Sequence, residues 1–478
     1  MGINSERLIF LVAFVWFLCT AIFSEGYLHH DEHFQILEYA NSKFETNEFE
    51  GLAWEYDARI RSAFQPYVAL QCMKTARFFG VENPFVIASL LRLLSALISF
   101  IAVLFFIKRT KIFITQRYHL IYVFLSYFLW CIPFLYVRFS SESWSAALLL
   151  VSCSFLLKKG GYSKDIIIAS FLLGVSFLCR FQIGICVFGI FIWLAFYKKE
   201  SFSKLALFLA GIGSVIGMGC VIDFLFYGDW NLTAWNYLYV NLVEGRSSDF
   251  GKSPFYFYLY SVFRYLIAPV GFLILLSSLS FLWKSKSKLI FWVILPFFLI
   301  HSLIPHKELR FLIPLLGFVP FILVKFIAKL ENRRGWPIMK LGFILVLGLN
   351  VLILGVVSFH PVGNGNVHLV NSMLEEVPGE DVVVYYTEGN NPLDPLGGLY
   401  LNFYVNQKLD FVKVNSIADF TSKRDSQHSF LFIDKTQELE LDKSSLSLVE
   451  ESYSSNYLFF KKLYKYKPKD HLLVYRLN

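Results

Sequence analysis

The chain has 478 residues, of which 56% are hydrophobic and 17% charged, with 52 phenylalanines and a mean hydropathy of +0.53. Soluble domains are nearer about 45–50% apolar, so composition excludes an ordinary soluble protein. The net charge of +8 does not imply nucleic acid, because Lys and Arg gather in short loops between apolar runs, where they set topology.

Apolar runs long enough to suggest spans lie at 8–28, 86–107, 119–137, 141–157, 165–179, 181–197, 204–226, 257–283, 288–304, 309–329 and 339–359, about eleven in all. The first is longer than a signal-peptide core and many more follow, so it reads as an uncleaved span. The runs 165–179 and 181–197 are short and meet at Arg180, as a re-entrant pair or a broken hairpin would. With this count, the basic loops at 108–111, 158–159, 198–199, 284–288 and 333–334 fall on one side, the cytoplasmic one. The other side receives 29–85, the Arg138 turn, Arg180, 227–256, 305–310 and everything after His360. The seven cysteines lie mostly in apolar runs and form no metal-type or disulfide spacing.

After about 360 the chain turns polar, with short β-type runs at 381–386, 429–433 and 472–476. The expected architecture is an all-α polytopic membrane protein, 1–359, carrying a small extramembrane α/β domain, 360–478. No internal repeat is visible, which weighs against a transporter or flippase of a lipid-linked sugar, the alternative class. A scaffold subunit that keeps the fold without activity is a third reading, against which the two acids described next argue.

Four polar clusters stand out, all on the external side. In the first, His29, His30, Asp31, Glu32 and His33 follow the first apolar run directly, and Asp31, Gln35 and Glu38 recur at helical spacing. Phe34, Leu37 and Ala40 take another face, so an amphipathic helix along the membrane surface is expected. The second is Trp54-Glu55-Tyr56 with Arg61 and Ser62. Aromatic faces and acids suit sugar rings, although an interfacial aromatic belt has the same composition. The third is Tyr227-Gly228-Asp229-Trp230 with Asn236 and Asn241, continuing to 251–258. Asp223 precedes it inside an apolar run and therefore needs a partner or a wet cavity. The fourth is Pro305-His306-Lys307-Glu308-Leu309-Arg310-Phe311. Its cations suit a phosphate, with Glu308 orienting one of them.

These stretches, in this order, resemble the glycosyltransferase family 22 mannosyltransferases, the GPI- and ALG-type enzymes of the GT-C superfamily. The resemblance covers roughly 8–330 and leaves out the tail. It implies a GT-C fold and inverting transfer of a hexose, most simply mannose, from a polyprenyl-phosphate donor of the dolichyl-phosphate type to a glycan or glycolipid acceptor. Within it, Asp31 is the expected general base and Glu32 its support. His306, Lys307 and Arg310 would bind the donor phosphate, with Arg138 and Arg180 in reserve. His30, Gln35, Trp54, Glu55, Arg61, Asp229, Trp230, Asn236 and Glu308 would bind substrate. No cofactor is required and no metal-ligand spacing is present, although three histidines near Asp31 leave room for a divalent metal. The partners expected are the lipid-linked donor, the acceptor and the bilayer. A prokaryotic inner membrane is favoured over the endoplasmic reticulum, with the site on the periplasmic or luminal side.

Overall fold

The computed structural model describes residues 2–44, 51–158, 160, 162–331, 333–404, 409–416, 420, 428–441, 443–464 and 466–477. Lys159, part of one basic loop, lies outside them, as do residues 45–50 of the first external loop.

Every apolar run is helical. Among the described residues, five helices are long and apolar enough to cross a membrane: Ser5–Phe23, Pro84–Phe113, Phe202–Tyr227, Leu309–Leu330 and Trp336–Ser358. The pair Ala268–Lys284 and Leu289–Leu303, bent by 117°, makes up to six. The protein is a multi-pass membrane protein, but about eleven spans are not reached by helices that each cross alone. Composition counted runs and missed the breaks inside them. The run 119–137 is two helices, His119–Phe128 and Cys131–Tyr136, interrupted where Leu129 turns to an extended conformation. The break expected at Arg180 is present: this residue is extended between Ser163–Cys179 and Ile183–Ile192.

By packing, the chain divides into two compact units, 1–20 with 58–67 and 92–355, and 21–57 with 68–91 and 356–478. In the first, Ser141–Leu156 packs on Ser163–Cys179, which packs on Phe202–Tyr227. Serines tie the first two helices: Ser152 donates to the Ala169 carbonyl at 3.0 Å and Ser176 to the Ser145 carbonyl at 2.8 Å. Hydroxyl-to-carbonyl bonds of this kind suit a membrane interior, where burying apolar surface gives little drive for helix association. At Gly189 a Cβ would sit 1.9 Å from the Trp292 carbonyl oxygen, so the helices Ile183–Ile192 and Leu289–Leu303 approach as only glycine permits.

The second unit holds a five-stranded sheet. Strands β1 (Val382–Thr387), β2 (Leu409–Val414) and β3 (Ser429–Asp434) are parallel, while β4 (Leu446–Glu451) and β5 (Leu472–Leu477) join antiparallel in the order β2-β1-β3-β5-β4. The central strand β3 is buried throughout. Tyr385, Leu431, Ile433, Leu473 and Tyr475 form one packed face. The tail is therefore mixed α/β, as its short β-type runs indicate.

Two histidines of this unit titrate in opposite senses. His368 Nδ1 meets Glu25 Oε2 at 2.9 Å. Burial opposes its protonation, but the hydrogen bond and charge of Glu25 outweigh burial and raise its pKa above 6.5. Burial, with the nearby His368 and Lys461 charges, pushes His360 down to about 3. Stability from His368 is complete below its unfolded pKa near 6.5 and is lost as pH rises through the higher folded value. His360 stays neutral when folded, so its unfolded form takes up a proton between about 6.5 and 3 and destabilises the fold on acidification. The melting temperature should therefore peak near pH 6.5, and His368→Gln should flatten the alkaline limb, with a smaller easing of the acid limb because the His368 charge no longer depresses His360. An unchanged alkaline limb in that variant would rule out the Glu25 contact as its origin.

Candidate active site

In the second unit, the acidic segment forms one bent helix, His30–Glu32, then a π-helical turn His33–Leu37, then Glu38–Asn41. It is not the expected surface helix with one wet face. Phe34, Gln35, Leu37, Glu38, Tyr39, Ala40 and Asn41 are all buried: tail residues Phe403 and Tyr404 meet Glu38 and His33, and Glu55 meets Gln35. Glu38, only 2% exposed, accepts from His33 Nε2 at 2.6 Å and from the Phe403 backbone N–H at 3.0 Å. The His33 ring stacks on Tyr404 at 5.4 Å. His33 is thus a buried structural partner, not a substrate-facing residue.

The remaining acids have different settings. Glu32 is buried, and its Oε2 accepts from the Leu28 N–H at 2.9 Å, closing the turn that leads out of the first helix. Gln35 donates to Glu55 Oε1 at 3.0 Å, joining the first two clusters of the sequence; Trp54 and Glu55 are half-buried. Asp31 stays 24% exposed, with His29 Nδ1 3.5 Å from its carboxylate. His30 is exposed, its ring 5.8 Å from that of Tyr27. Asp31 is the carboxylate of this helix that keeps an accessible surface.

In the first unit, the fourth cluster folds into a charged knot. Glu308 bonds His306 Nε2 at 2.9 Å and Arg310 Nε at 2.6 Å, so it contacts two of the cluster's cations where the sequence suggested one. Arg310 Nη1 also reaches Glu142 Oε1 at 3.0 Å, and Arg180 Nη1 reaches the same oxygen at 2.6 Å. Glu142 opens the helix Ser141–Leu156, whose first turn is capped by the Ser140 hydroxyl. Lys307 donates to the Ser253 carbonyl at 2.7 Å, while the Ser253 N–H donates to Pro305. The third and fourth clusters thereby interlock. Burial lowers the Lys307 pKa, and its ammonium is committed to the backbone, not held out as a loose point charge. Arg138 is buried in the same unit.

The third cluster also holds residues 59–63 of the same unit. Asp223 accepts from the Ala63 N–H at 2.7 Å, Thr233 Oγ1 at 2.7 Å and Ser62 Oγ at 3.3 Å. The acid in the apolar run thus has the partners its position requires. Tyr227 donates to the Arg61 carbonyl at 2.9 Å, Asn236 to the Arg59 carbonyl at 3.2 Å, and the Arg61 guanidinium lies 5.6 Å from the Tyr237 ring centre. Asp229 and Trp230 are exposed, with Trp230 stacked on Phe224.

The profile of the Alg9-like mannosyltransferase family matches residues 8–378. The chain belongs to that family. The match runs past the end of the last long apolar helix and into the tail, further than the motif resemblance reached. Among relatives of the Alg9-like family, the chain is 23% identical to the GPI alpha-1,2-mannosyltransferase 3 of Bos taurus over 351 residues, 72% of this chain and 62% of that protein. It is 33% identical over 165 residues to a probable Dol-P-Man:Man(7)GlcNAc(2)-PP-Dol alpha-1,6-mannosyltransferase of Schizosaccharomyces pombe, 34% of this chain and 29% of that one. The matched segment thus spans less than two thirds of either relative. The crystal structure of ArnT from Cupriavidus metallidurans bound to undecaprenyl phosphate aligns over 100% of this chain and 98% of its own at 12% identity, with a TM-score of 0.50. That likeness concerns the fold, a GT-C fold. The transporter reading draws no support from these matches.

Within this Alg9-like chain, no group of three or more His, Cys, Asp or Glu side chains is placed to hold a metal among the described residues. Sequence reasoning missed Glu142, because 141–157 read as an apolar run. Its signal was the acid beside Ser140, Ser141 and Ser143, a helix start rather than a span interior. It also missed Phe403 and Tyr404, whose link to Glu38 and His33 crosses more than 360 positions and leaves no local trace. Asp223→Ala should lower stability by about 3 kcal/mol, since a buried N–H and two hydroxyls lose a charged acceptor. Asp223→Asn should recover much of this. A melting temperature for the Ala variant equal to that of the parent would show that this contact does not hold the 58–67 segment.

Proposed function

We propose that the protein is a membrane glycosyltransferase that transfers a hexose, mannose in the simplest case, from a polyprenyl-phosphate donor to a hydroxyl of a glycan or glycolipid, with inversion. Family membership supports the reaction class, and the name of the fission-yeast relative supports a dolichyl-phosphate-mannose type of donor. The observation that carries the reading is the different exposure of neighbouring acids: Glu38 and Glu32 are buried, whereas the Asp31 side chain is 24% exposed.

In this scheme Asp31 takes the proton of the acceptor hydroxyl as its oxygen bonds to the anomeric carbon. The bond from that carbon to the phosphate oxygen breaks, and its electron pair leaves with the polyprenyl phosphate. A phosphate leaving group is weakly basic, so it needs positive charge and no proton donor. Arg310 is the chief candidate for that charge, with Arg180, His306 and Lys307 beside it. Among the groups named here, the cations Arg180, Lys307 and Arg310 outnumber the carboxylates Glu142 and Glu308 by one, a balance that favours an anion. Gln35, Glu55, Trp54 and Arg61 are assigned to the acceptor. The active side is the periplasmic or luminal one, opposite the basic loops.

The test is transfer of radiolabelled mannose from a defined polyprenyl phosphate by the full chain in proteoliposomes. Labelled glycolipid product is expected, and movement of labelled donor to the inner leaflet without product would replace this reading with transport. Arg310→Ala should raise the apparent donor KM by about tenfold or more, the effect of losing one charge-assisted contact. An unchanged donor KM would remove Arg310 from the phosphate site.

A further inference from the structure

The first unit contains an apolar groove unconnected with the charged clusters above. Tyr118, Leu125, Ile327, Trp336, Lys340 and Leu347 contribute to its walls, which are almost entirely carbon. Asn350 lies at its far end, but its amide is occupied elsewhere. Its Oδ1 accepts from the Trp130 N–H at 2.9 Å and its Nδ2 donates to the Phe128 carbonyl at 2.7 Å. The groove therefore offers an apolar chain nothing polar to displace.

Its length is set by the helix Trp336–Ser358. From Trp336 to Asn350 a helix climbs about 21 Å at about 1.5 Å per residue. One leaflet of a bilayer has a hydrocarbon depth of about 15 Å, half of about 30 Å. A single acyl chain anchored at the Trp336 end thus fits lengthwise. A much longer polyprenyl chain would overrun this length.

The Trp336 end is positively charged. Lys340 lines the groove and is exposed. Lys329, also exposed, donates to Ser280 Oγ at 3.2 Å and lies within electrostatic reach of Lys284 and Arg333. Glu331 is the local acid, and it is occupied by Arg117 and by the Tyr118 hydroxyl. Apolar walls that end beside cations with no carboxylate partner among the described residues match a lipid with an apolar chain and an anionic head, and a neutral lipid leaves that charge unanswered.

We propose that this groove is a binding site for an anionic glycerophospholipid of the leaflet beside the basic loops, one acyl chain lying between Tyr118 and Leu347 and the phosphate resting on Lys329 and Lys340. The site is separate from the transfer reaction and does not depend on its assignment.

Native mass spectrometry of the full chain in detergent, delipidated and then titrated with phosphatidylglycerol, phosphatidylcholine or undecaprenyl phosphate, tests it. Phosphatidylglycerol should bind at least about tenfold more tightly than phosphatidylcholine, as about one kcal/mol per basic residue near an anionic head implies. The double variant Lys329→Glu/Lys340→Glu should lose that preference. Leu347→Trp and Leu125→Trp fill the groove from different walls, and each should abolish phosphatidylglycerol binding while the helical circular-dichroism signal is kept. Should one of them fail to fold, the other and the charge-reversal pair decide. Equal binding of the two phospholipids, binding that survives the groove-filling substitutions, or tighter retention of undecaprenyl phosphate at this site would overturn the proposal.

Discussion

Asp31→Asn is expected to reduce sugar transfer by about 10²–10⁴-fold, the usual contribution of a positioned general base, with expression, membrane insertion and melting temperature unchanged. Asparagine keeps the size and one acceptor oxygen of aspartate and removes its charge and its capacity to take a proton. The neighbouring acids make the expectation specific. Glu38 is enclosed by His33 and the Phe403 N–H, so Glu38→Gln should destabilise the segment before it affects chemistry. Glu32 holds the Leu28 N–H, a bond that a glutamine oxygen can replace. Glu32→Gln should therefore retain activity within a few-fold. Steady-state transfer assays on the purified variants, with melting curves alongside, separate these cases. If Glu32→Gln abolishes transfer and Asp31→Asn does not, the base is Glu32.

The helical content was legible because apolar runs near twenty residues have few alternatives, and an acid deep inside one is costly enough to be noticed, whereas Glu142 at the start of its run was not. Asp223 illustrates this: its position alone required partners, and Ala63, Ser62 and Thr233 supply them. The link from Glu308 to His306 and Arg310 was legible for another reason, since the three lie within five positions. What failed was the reading of breaks and of distant contacts. Leu129 and Trp130 look like any other apolar residues, yet the chain turns there and one expected span becomes two short helices. In the tail, strands β1, β3 and β5 were visible as apolar runs. Strands β2 and β4 lie at the sheet edges, where one side lacks a neighbour, and their sequences LDFVKV and LSLVEE carry the charges that edges favour. The surface helix expected at 30–41 failed for the same reason as Phe403 and Tyr404 were missed. A 3.6-residue pattern shows which residues share a face, but not that a remote part of the chain will cover the polar one.

Glu142→Ala is expected to cost about 3–5 kcal/mol of stability, the effect of breaking a buried ion pair from one side, and to impair donor binding as well. One Glu142 oxygen lies between two guanidiniums, 2.6 Å from Arg180 and 3.0 Å from Arg310. Arg180 and Glu142 are each about nineteen-twentieths buried, with exposures of 4% and 6%, so water cannot replace the missing charge. Without it, the two guanidiniums lose their shared acceptor, while Arg310 keeps its contacts to Glu308. A combined Glu142→Ala/Arg180→Leu variant distinguishes structure from function. Replacing a buried pair by apolar groups is often close to neutral, so stability should return towards that of the parent. Donor binding should not return, because Arg310 would still lack the carboxylate that fixes its second edge. Melting temperature and donor KM, measured on the same three proteins, read the two effects separately. Recovery of both in the double variant would make Glu142 a purely structural counter-ion to Arg180, and a single Glu142→Ala substitution without loss of stability would show that the buried pair is not formed in the folded protein.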